Sequence, residues 1–414
     1  MPGLIACPEC DIVVNIPALA DGQRAACPRC QHVLISRSRD GFSRSLALAS
    51  GAAVFLIIAN VYPFLSLKMG GITNAMTLAE TTFALYREGL VVVATMVMGF
   101  TIVMPAVLLA GIICLLLLLT TTHPPALARV VGKALFMLAP WSMVEVFVIG
   151  VIVSFVKLSS MATVELGVGF WAYSAFAVCF VGAVSNLDRF SVWNAIEQLP
   201  PMTADIEGTA AISGLANCHT CMKLSPVSQG LCSRCGDHLH LRIPGSLQRT
   251  TALLLTAAIL YIPANIYPIM VTDQFGSSTP STILGGVILL WHLGSYPVAA
   301  IIFVASVLVP LGKLLSLSVL VWTASRGDVG RPRDHTMLYR ITEFVGRWSM
   351  IDVFVVAILV ALIQLGGILV IRPGIAALAF TGVVIITMLA AESFDPRLIW
   401  DRVRANGVRD RDGY

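Results

Sequence analysis

The tightest constraint on this chain is that it is written twice. Asn60-Val-Tyr-Pro63 recurs as Asn265-Ile-Tyr-Pro268, Pro105 as Pro310, Trp141-Ser-Met-Val-Glu-Val-Phe147 as Trp348-Ser-Met-Ile-Asp-Val-Phe354, and Asp188…Trp193 as Asp395…Trp400. The offset holds at 205 to 207, and the pairs Cys27/Cys30 and Cys232/Cys235 keep it too. Self-similarity over such a length means one structural unit used twice. Each copy contains four apolar runs long enough for a hydrocarbon core of ~30 Å, which needs roughly 17–25 helical residues. They lie at about 45–66, 90–119, 134–156 and 168–187, then at about 249–271, 295–322, 348–370 and 373–392. Composition agrees: 57% of the 414 residues are hydrophobic and 12% charged, far from the balance of a water-soluble domain. The expected fold is an all-α polytopic membrane protein of two tandem four-helix units, each preceded by a small β zinc ribbon.

Eight of the ten cysteines form CxxC pairs: Cys7/Cys10, Cys27/Cys30, Cys218/Cys221 and Cys232/Cys235. A CxxC turn offers two thiolates, and two such knuckles close a tetrahedral Zn²⁺ site with no open position, which makes its role structural. The first two pairs are separated by 16 residues and the second two by 10, both compatible with a ribbon. Thioredoxin-like redox chemistry expects a CxxC opening a helix in a βαβ unit, and no such pattern surrounds these pairs. Cys114 and Cys179 lie inside apolar runs and read as packing residues. His219, His238 and His240, near the second site, read as loop histidines because four sulfurs suffice.

The resulting division is ribbon 1 at 1–40, membrane unit 1 at 41–200, ribbon 2 at 201–243, membrane unit 2 at 244–400 and a basic tail at 401–414. The first 40 residues hold two cysteine pairs and no long apolar stretch, so no cleavable signal peptide is expected. Arg37, Arg39 and Arg44, Arg129 and Lys133, Arg326 to Arg340, and five arginines from Arg397 to Arg411 mark cytoplasmic segments by the positive-inside rule. Both termini and both ribbons then share the reducing side, where paired cysteines bind metal rather than form disulfides. A net charge of +4 does not suggest a nucleic-acid partner. Two short apolar segments, Thr77–Glu88 and Thr282–Leu293, read as interfacial helices on the outer side.

Ionisable residues inside a membrane span are costly and functional by default. Lys313 lies about 9 residues, roughly 13 Å, inside span six. Asp352 lies inside span seven, and Ser349 and Thr387 can join the two in a polar network. This set reads either as a centre that binds a headgroup or relays protons, or as an ion pair fixing helix packing. Glu145 stands in unit 1 where Asp352 does, but Leu108 replaces Lys313. Glu343 and Arg347 are spaced as a surface i,i+4 pair, and Lys157 as a snorkelling residue. Asn265 in the Asn-x-Tyr-Pro motif marks either a bent helix opening a cleft or a plain helix end with an interfacial tyrosine.

Pro-Ala-Asn265-Ile-Tyr-Pro-Ile, Pro-Ser-Thr282-Ile-Leu, Gly346-Arg-Trp-Ser-Met-Ile-Asp352-Val-Phe and Phe394-Asp-Pro-Arg-Leu, together with the paired ribbons, resemble the paraquat-inducible protein A family over nearly the whole chain. The resemblance implies a non-enzymatic bacterial inner-membrane protein that passes phospholipid to or from an MCE-domain periplasmic partner and supports envelope integrity. It also implies a functional polar cluster at Lys313, Ser349, Asp352 and Thr387. An exporter of cationic toxins and a non-transporting scaffold are the competing expectations. No GxxxxGK[ST] nucleotide-binding motif occurs in the sequence.

Overall fold

The computed structural model describes residues 3–405 except 18, 70, 71, 88, 90, 121–125, 160–162, 199–207, 275, 276, 293, 295, 327–329, 363 and 366–368. Gly70, Gly71, Gly276, the end of the basic tail beyond 405, and the side chains of Lys157 and Asp352 lie outside that description. The chain opens with two hairpins, β1 (Gly3–Ala6) with β2 (Val13–Ile16) and β3 (Arg24–Ala26) with β4 (Val33–Ser36). Unit 1 comes next: α1 (Gly41–Val61), β5 (Leu65–Met69), β6 (Ile72–Met76), α2 (Leu78–Arg87), α3 (Val91–Met98) running through a π turn into α4 (Met104–Leu119), α5 (Ala126–Leu138), α6 (Val144–Ser159), β7 (Thr163–Leu166), α7 (Val168–Ser185) and α8 (Arg189–Ile196). A third hairpin, β8 (Leu215–Asn217) with β9 (Leu224–Pro226), begins ribbon 2. Unit 2 repeats the order: α9 (Ser246–Ile266), β10 (Met270–Gln274), β11 (Ser277–Ser281), α10 (Ile283–His292), α11 (Tyr296–Phe303), a π turn, α12 (Val309–Arg326), α13 (Pro332–Trp348), α14 (Ile351–Leu362), β12 (Gln364–Leu365), β13 (Leu369–Pro373), α15 (Ile375–Ser393) and α16 (Arg397–Ala405).

Seven helical segments among the described residues are long and apolar enough to cross a membrane, one fewer than the eight runs predict. The run at 348–370 is divided: α13 ends at Trp348, α14 is 12 residues long, and the last residues of the run enter β13. The runs at 45–66 and 249–271 are trimmed likewise, because their helices stop at Val61 and Ile266 before Pro63 and Pro268. Beyond each proline the chain becomes strand. β5 pairs with β6 and β7, and β10 with β11 and β13, so a small antiparallel sheet closes each bundle at the end away from the ribbons. An apolar run does not by itself distinguish a buried strand from a helix, which is why hydropathy assigns these ends to spans.

Lipid supplies no hydrophobic drive between helices, so their association depends on close contact and hydrogen bonds. α1 lies along α7 and α9 along α15. α1 buries Ser45, Ala49, Ala52 and Ala59 on one face, and Ser45 Oγ donates to the Ala183 carbonyl at 2.8 Å. α9 does the same with Ser246, whose Oγ donates to the Ser393 carbonyl at 2.8 Å. The sheet and the last helix of each unit meet at a glycine. A Cβ on Gly167 would collide with the Pro63 carbonyl oxygen, and one on Gly374 with that of Pro268. Asn60 and Asn265 donate back to the carbonyls of Leu56 and Tyr261, 2.8 and 2.9 Å away. The Asn-x-Tyr-Pro motif therefore ends a helix, and Tyr62 and Tyr267 are left half exposed.

The units meet through repeat-equivalent residues. α6 packs on α14, the rings of Phe147 and Phe354 stand edge to face at 5.3 Å, and Gly150 leaves room for the Phe354 Cβ, which would be 3.1 Å from an added Cβ. α14 is buried along nearly its whole described length, from Val353 to Val360.

Candidate functional site: two crossed cysteine ribbons and a buried lysine

All four knuckles share one backbone design. The residue after each second cysteine has a left-handed conformation: Asp11 at φ 62°, Gln31 at 61°, Met222 at 59° and Gly236 at 73°. Its N–H closes the turn onto the first cysteine's carbonyl at 2.8–2.9 Å in every case. Three of these four are not glycine, and a left-handed residue with a side chain costs roughly 1–2 kcal/mol. The turn persists because the sulfurs it aims converge. Cys7 Sγ lies 3.5 Å from Cys30 Sγ and Cys10 Sγ 3.5 Å from Cys27 Sγ; the corresponding distances for Cys218/Cys235 and Cys221/Cys232 are 3.4 and 3.5 Å. Within each quartet all sulfurs lie within 4.8 Å of one another. Disulfides require about 2.05 Å, whereas four thiolates at about 2.3 Å from a central ion stand a little under 4 Å apart. The geometry fits two four-sulfur metal sites.

Each ribbon keeps contacts with the unit it precedes, as between Ser38 Oγ and Asn186 Oδ1 at 2.8 Å, and also docks on the other unit. Ribbon 1 docks on unit 2: Arg340 of α13 brackets Glu9 with its Nε 2.9 Å from both carboxylate oxygens, and its Nη2 reaches the Cys30 carbonyl at 2.8 Å. Arg29 covers the Trp400 ring at 4.4 Å. Ribbon 2 docks on unit 1: Lys133 of α5 pairs with Asp237 at 3.3 Å, and Arg234 lies over Trp193 at 6.0 Å while donating to the Trp193 carbonyl. Lys133 and Arg340 are repeat equivalents, as are Arg29 and Arg234, and Trp193 and Trp400. Both crossings thus use the same positions. The ribbons also bind each other, through Asn217 Nδ2 to the Ala6 carbonyl at 2.9 Å and through a bridge between Ile12 and Thr209. Arg242 joins Asp11 of ribbon 1 to Asp401 of α16 at 3.0 and 2.6 Å. His219 is exposed in the turn of its knuckle, as a loop histidine is expected to be; Arg189 donates to its carbonyl at 2.9 Å, and its Nε2 faces Arg397 Nη2 at 3.2 Å.

Inside unit 2, Lys313 is 2% exposed. Its Nζ donates to the Thr387 hydroxyl at 3.1 Å and to the Gly346 carbonyl at 3.3 Å. An ammonium has three N–H donors, and these are its two partners among the described residues. Gly346 makes the space, since a Cβ there would come within 3.0 Å of Lys313 Cε. Thr387 in turn donates to the Val384 carbonyl at 2.9 Å. Ser349 is buried, and its hydroxyl has no partner among the described residues. Asp352 lies on α14, but its side chain is outside the described residues. Arg347 lies over the Phe344 ring at 5.9 Å, and its charge also acts on Glu343, four residues back on the same helix. Glu145, half-buried, opens α6.

The family model for paraquat-inducible protein A matches residues 42–197 and again 247–404, once on each membrane unit. The chain belongs to the paraquat-inducible protein A family. It is 42% identical over 401 residues to Intermembrane transport protein PqiA of Escherichia coli K12, covering 96% of this chain and 95% of that protein. It is 30% identical to Lipophilic envelope-spanning tunnel protein A of the same strain, covering 97% and 92%. A Probable intermembrane transport protein of Haemophilus influenzae is 28% identical, covering 96% and 95%. No solved structure matches the chain at a significant level. The two matched segments are the membrane units, and both cysteine quartets lie outside them.

Proposed function

We propose that this chain is a bacterial inner-membrane component of an intermembrane lipid-transport system. It hands phospholipid to or from a periplasm-spanning MCE-domain partner, supports envelope integrity and performs no enzymatic chemistry. The names of its relatives support transport between membranes. The observation that carries the reading is Lys313, a buried cation held by two neutral oxygens at membrane depth. A lysine so placed can accept a phosphate-bearing headgroup or exchange a proton as the surrounding helices move. Ser349, whose buried hydroxyl has no partner among the described residues, offers one more polar group in the same set, and Asp352 is the acid one turn along.

In the same reading the quartets Cys7, Cys10, Cys27, Cys30 and Cys218, Cys221, Cys232, Cys235 hold two structural zinc ions in the cytoplasm, with both termini on that side. Phospholipid transfer from labelled donor to acceptor liposomes by the reconstituted chain and its MCE partner tests the proposal. Transfer should fall at least tenfold in Lys313→Met and respond to an imposed pH gradient. Full transfer in Lys313→Met would sink the assignment of the centre.

A further inference from the structure

Unit 2 differs from unit 1 on its outer surface as well as in its interior. Between α9 and α12 a groove of about 440 Å³ opens on the lipid-facing side. Its walls are Leu254, Leu255, Ala258, Leu314, Val321 and Trp322, and Arg326 stands at its mouth. The lining from Leu314 to Arg326 covers roughly 18 Å of helix, against roughly 15 Å for half of a hydrocarbon core. The groove therefore has the depth of one leaflet. Its inner end, at Leu314, lies at the level of Lys313, which faces the opposite way into the protein core.

Among the described residues that line the groove, Arg326 is the charged one, and its described contact is the ring of Trp322 at 4.5 Å. That pairing leaves the guanidinium able to take a phosphate bidentately. In unit 1 the same positions are occupied differently. Ala49 stands for Leu254, Ile113 for Ser318 and Leu117 for Trp322, while Leu109 and Leu116, the equivalents of the half-buried Leu314 and Val321, are 2% and 4% exposed.

We propose that this groove is a binding site for an anionic phospholipid of the cytoplasmic leaflet, with one acyl chain between α9 and α12 and the headgroup phosphate on Arg326. The site rests on the lipid-transport reading and gives it an entry point beside Lys313. The test uses the full chain in phosphatidylcholine nanodiscs doped with phosphatidylglycerol bearing a diazirine on one acyl chain, or with the matching phosphatidylcholine probe. After irradiation, labelled peptides are mapped by mass spectrometry. Labelling should concentrate on 251–258 and 314–326, with phosphatidylglycerol favoured about fivefold, the value of one arginine at a membrane surface. Ala258→Trp should fill the groove and remove most of this labelling. Leu315→Trp, on the exposed face outside the groove, should leave it intact, and Arg326→Gln should abolish the headgroup preference alone. Labelling spread evenly over all lipid-facing helices, or unaffected by Ala258→Trp, would overturn the site. The two readings fail separately: transfer activity with no groove labelling removes the groove alone, whereas groove labelling in a chain that transfers nothing supports the site and removes the transport reading.

Discussion

Replacing Arg340 with glutamine tests the crossed docking of ribbon 1 at its strongest contact. Glu9 is 7% exposed and shares its carboxylate between Arg340 and His32, the latter at 2.9 Å. Burial alone pushes the Glu9 carboxyl upward, but the hydrogen bonds from His32 and Arg340 outweigh it and hold the group below its ordinary range. Removing one partner of a buried pair costs about 3–5 kcal/mol. Here the arginine side chain is one-third exposed and His32 remains, so a value of about 2 kcal/mol is expected. If ribbon 1 must be closed on its metal to present Glu9 to α13, that energy is linked to metal affinity, and a loss of about 2 kcal/mol lowers it about 30-fold. Lys133→Ala at the equivalent contact of ribbon 2 is the internal control. Its pair is longer, at 3.3 Å, and both side chains are about a third exposed, so about 0.5 kcal/mol and about a twofold effect are expected. Competition titration of the metal-loaded chain against a chromophoric chelator should resolve two sites, one of which weakens about 30-fold in Arg340→Gln. Equal affinities in wild type and Arg340→Gln, or a larger effect from Lys133→Ala, would refute the argument that docking on the opposite unit closes the ribbon.

Three more outcomes rest on the geometry. Cys221→Ser should halve the metal bound per chain, measured by plasma mass spectrometry, while Cys114→Ser leaves it unchanged; unaltered metal content in Cys221→Ser would contradict a four-sulfur site. Gly150→Leu drives a side chain into the space of Phe354 and should cost about 1–3 kcal/mol, seen as a lower unfolding temperature in detergent, with Gly99→Ala, whose Cβ would meet nothing within 4 Å, as the tolerated comparison. The buried carboxylate of Asp395 is pushed up by burial but more strongly pulled down by Arg397 and the Ile243 N–H. Its contribution is therefore fully present above the ordinary carboxylate range near pH ~4 and is lost as pH falls through the depressed folded value. Thermal stability should drop as pH falls below about 4, and Asp395→Asn should flatten that part of the profile.

The sequence carries the repeat, the metal quartets and most of the membrane helices openly, because each is a local pattern of spacing or hydropathy. Long-range arrangement is where it falls silent. Arg29 and Trp400 are far apart in the chain, and nothing in CPRC says that its arginine covers a tryptophan in the opposite unit. The strands at Leu65–Met69 and Leu369–Pro373 are hidden because they continue the hydropathy of a span. At the polar centre, Lys313 and Thr387 are identifiable as polar residues in apolar runs, but the second acceptor is the Gly346 carbonyl, and a backbone oxygen has no sequence signature. A clue exists in the repeat itself: Ala139 occupies the position of Gly346 in unit 1.

That clue extends to a pattern of substitution. Where unit 2 has Lys313, Gly346 and Thr387, unit 1 has Leu108, Ala139 and Phe180, and all three changes have one physical reading. A leucine makes no hydrogen bond, so no hydroxyl is needed at 180. It is also shorter than lysine, so the Cβ of Ala139 and the ring of Phe180 can fill the space the ammonium takes in unit 2. Leu108 and Phe180 are correspondingly buried, at 1% and 2% exposure. The frame around this difference is common to both units: Phe147 on Phe354, Lys133 and Arg340 on the opposite ribbons, and Arg29 and Arg234 on the opposite tryptophans. Symmetric positions thus hold the molecule together while the position of the buried lysine is apolar in one copy and carries the amine in the other. Since ribbon 1 grips α13 through Arg340, and α13 presents the Gly346 carbonyl to Lys313, the crossing connects the first ribbon to the polar centre of the second unit through one helix.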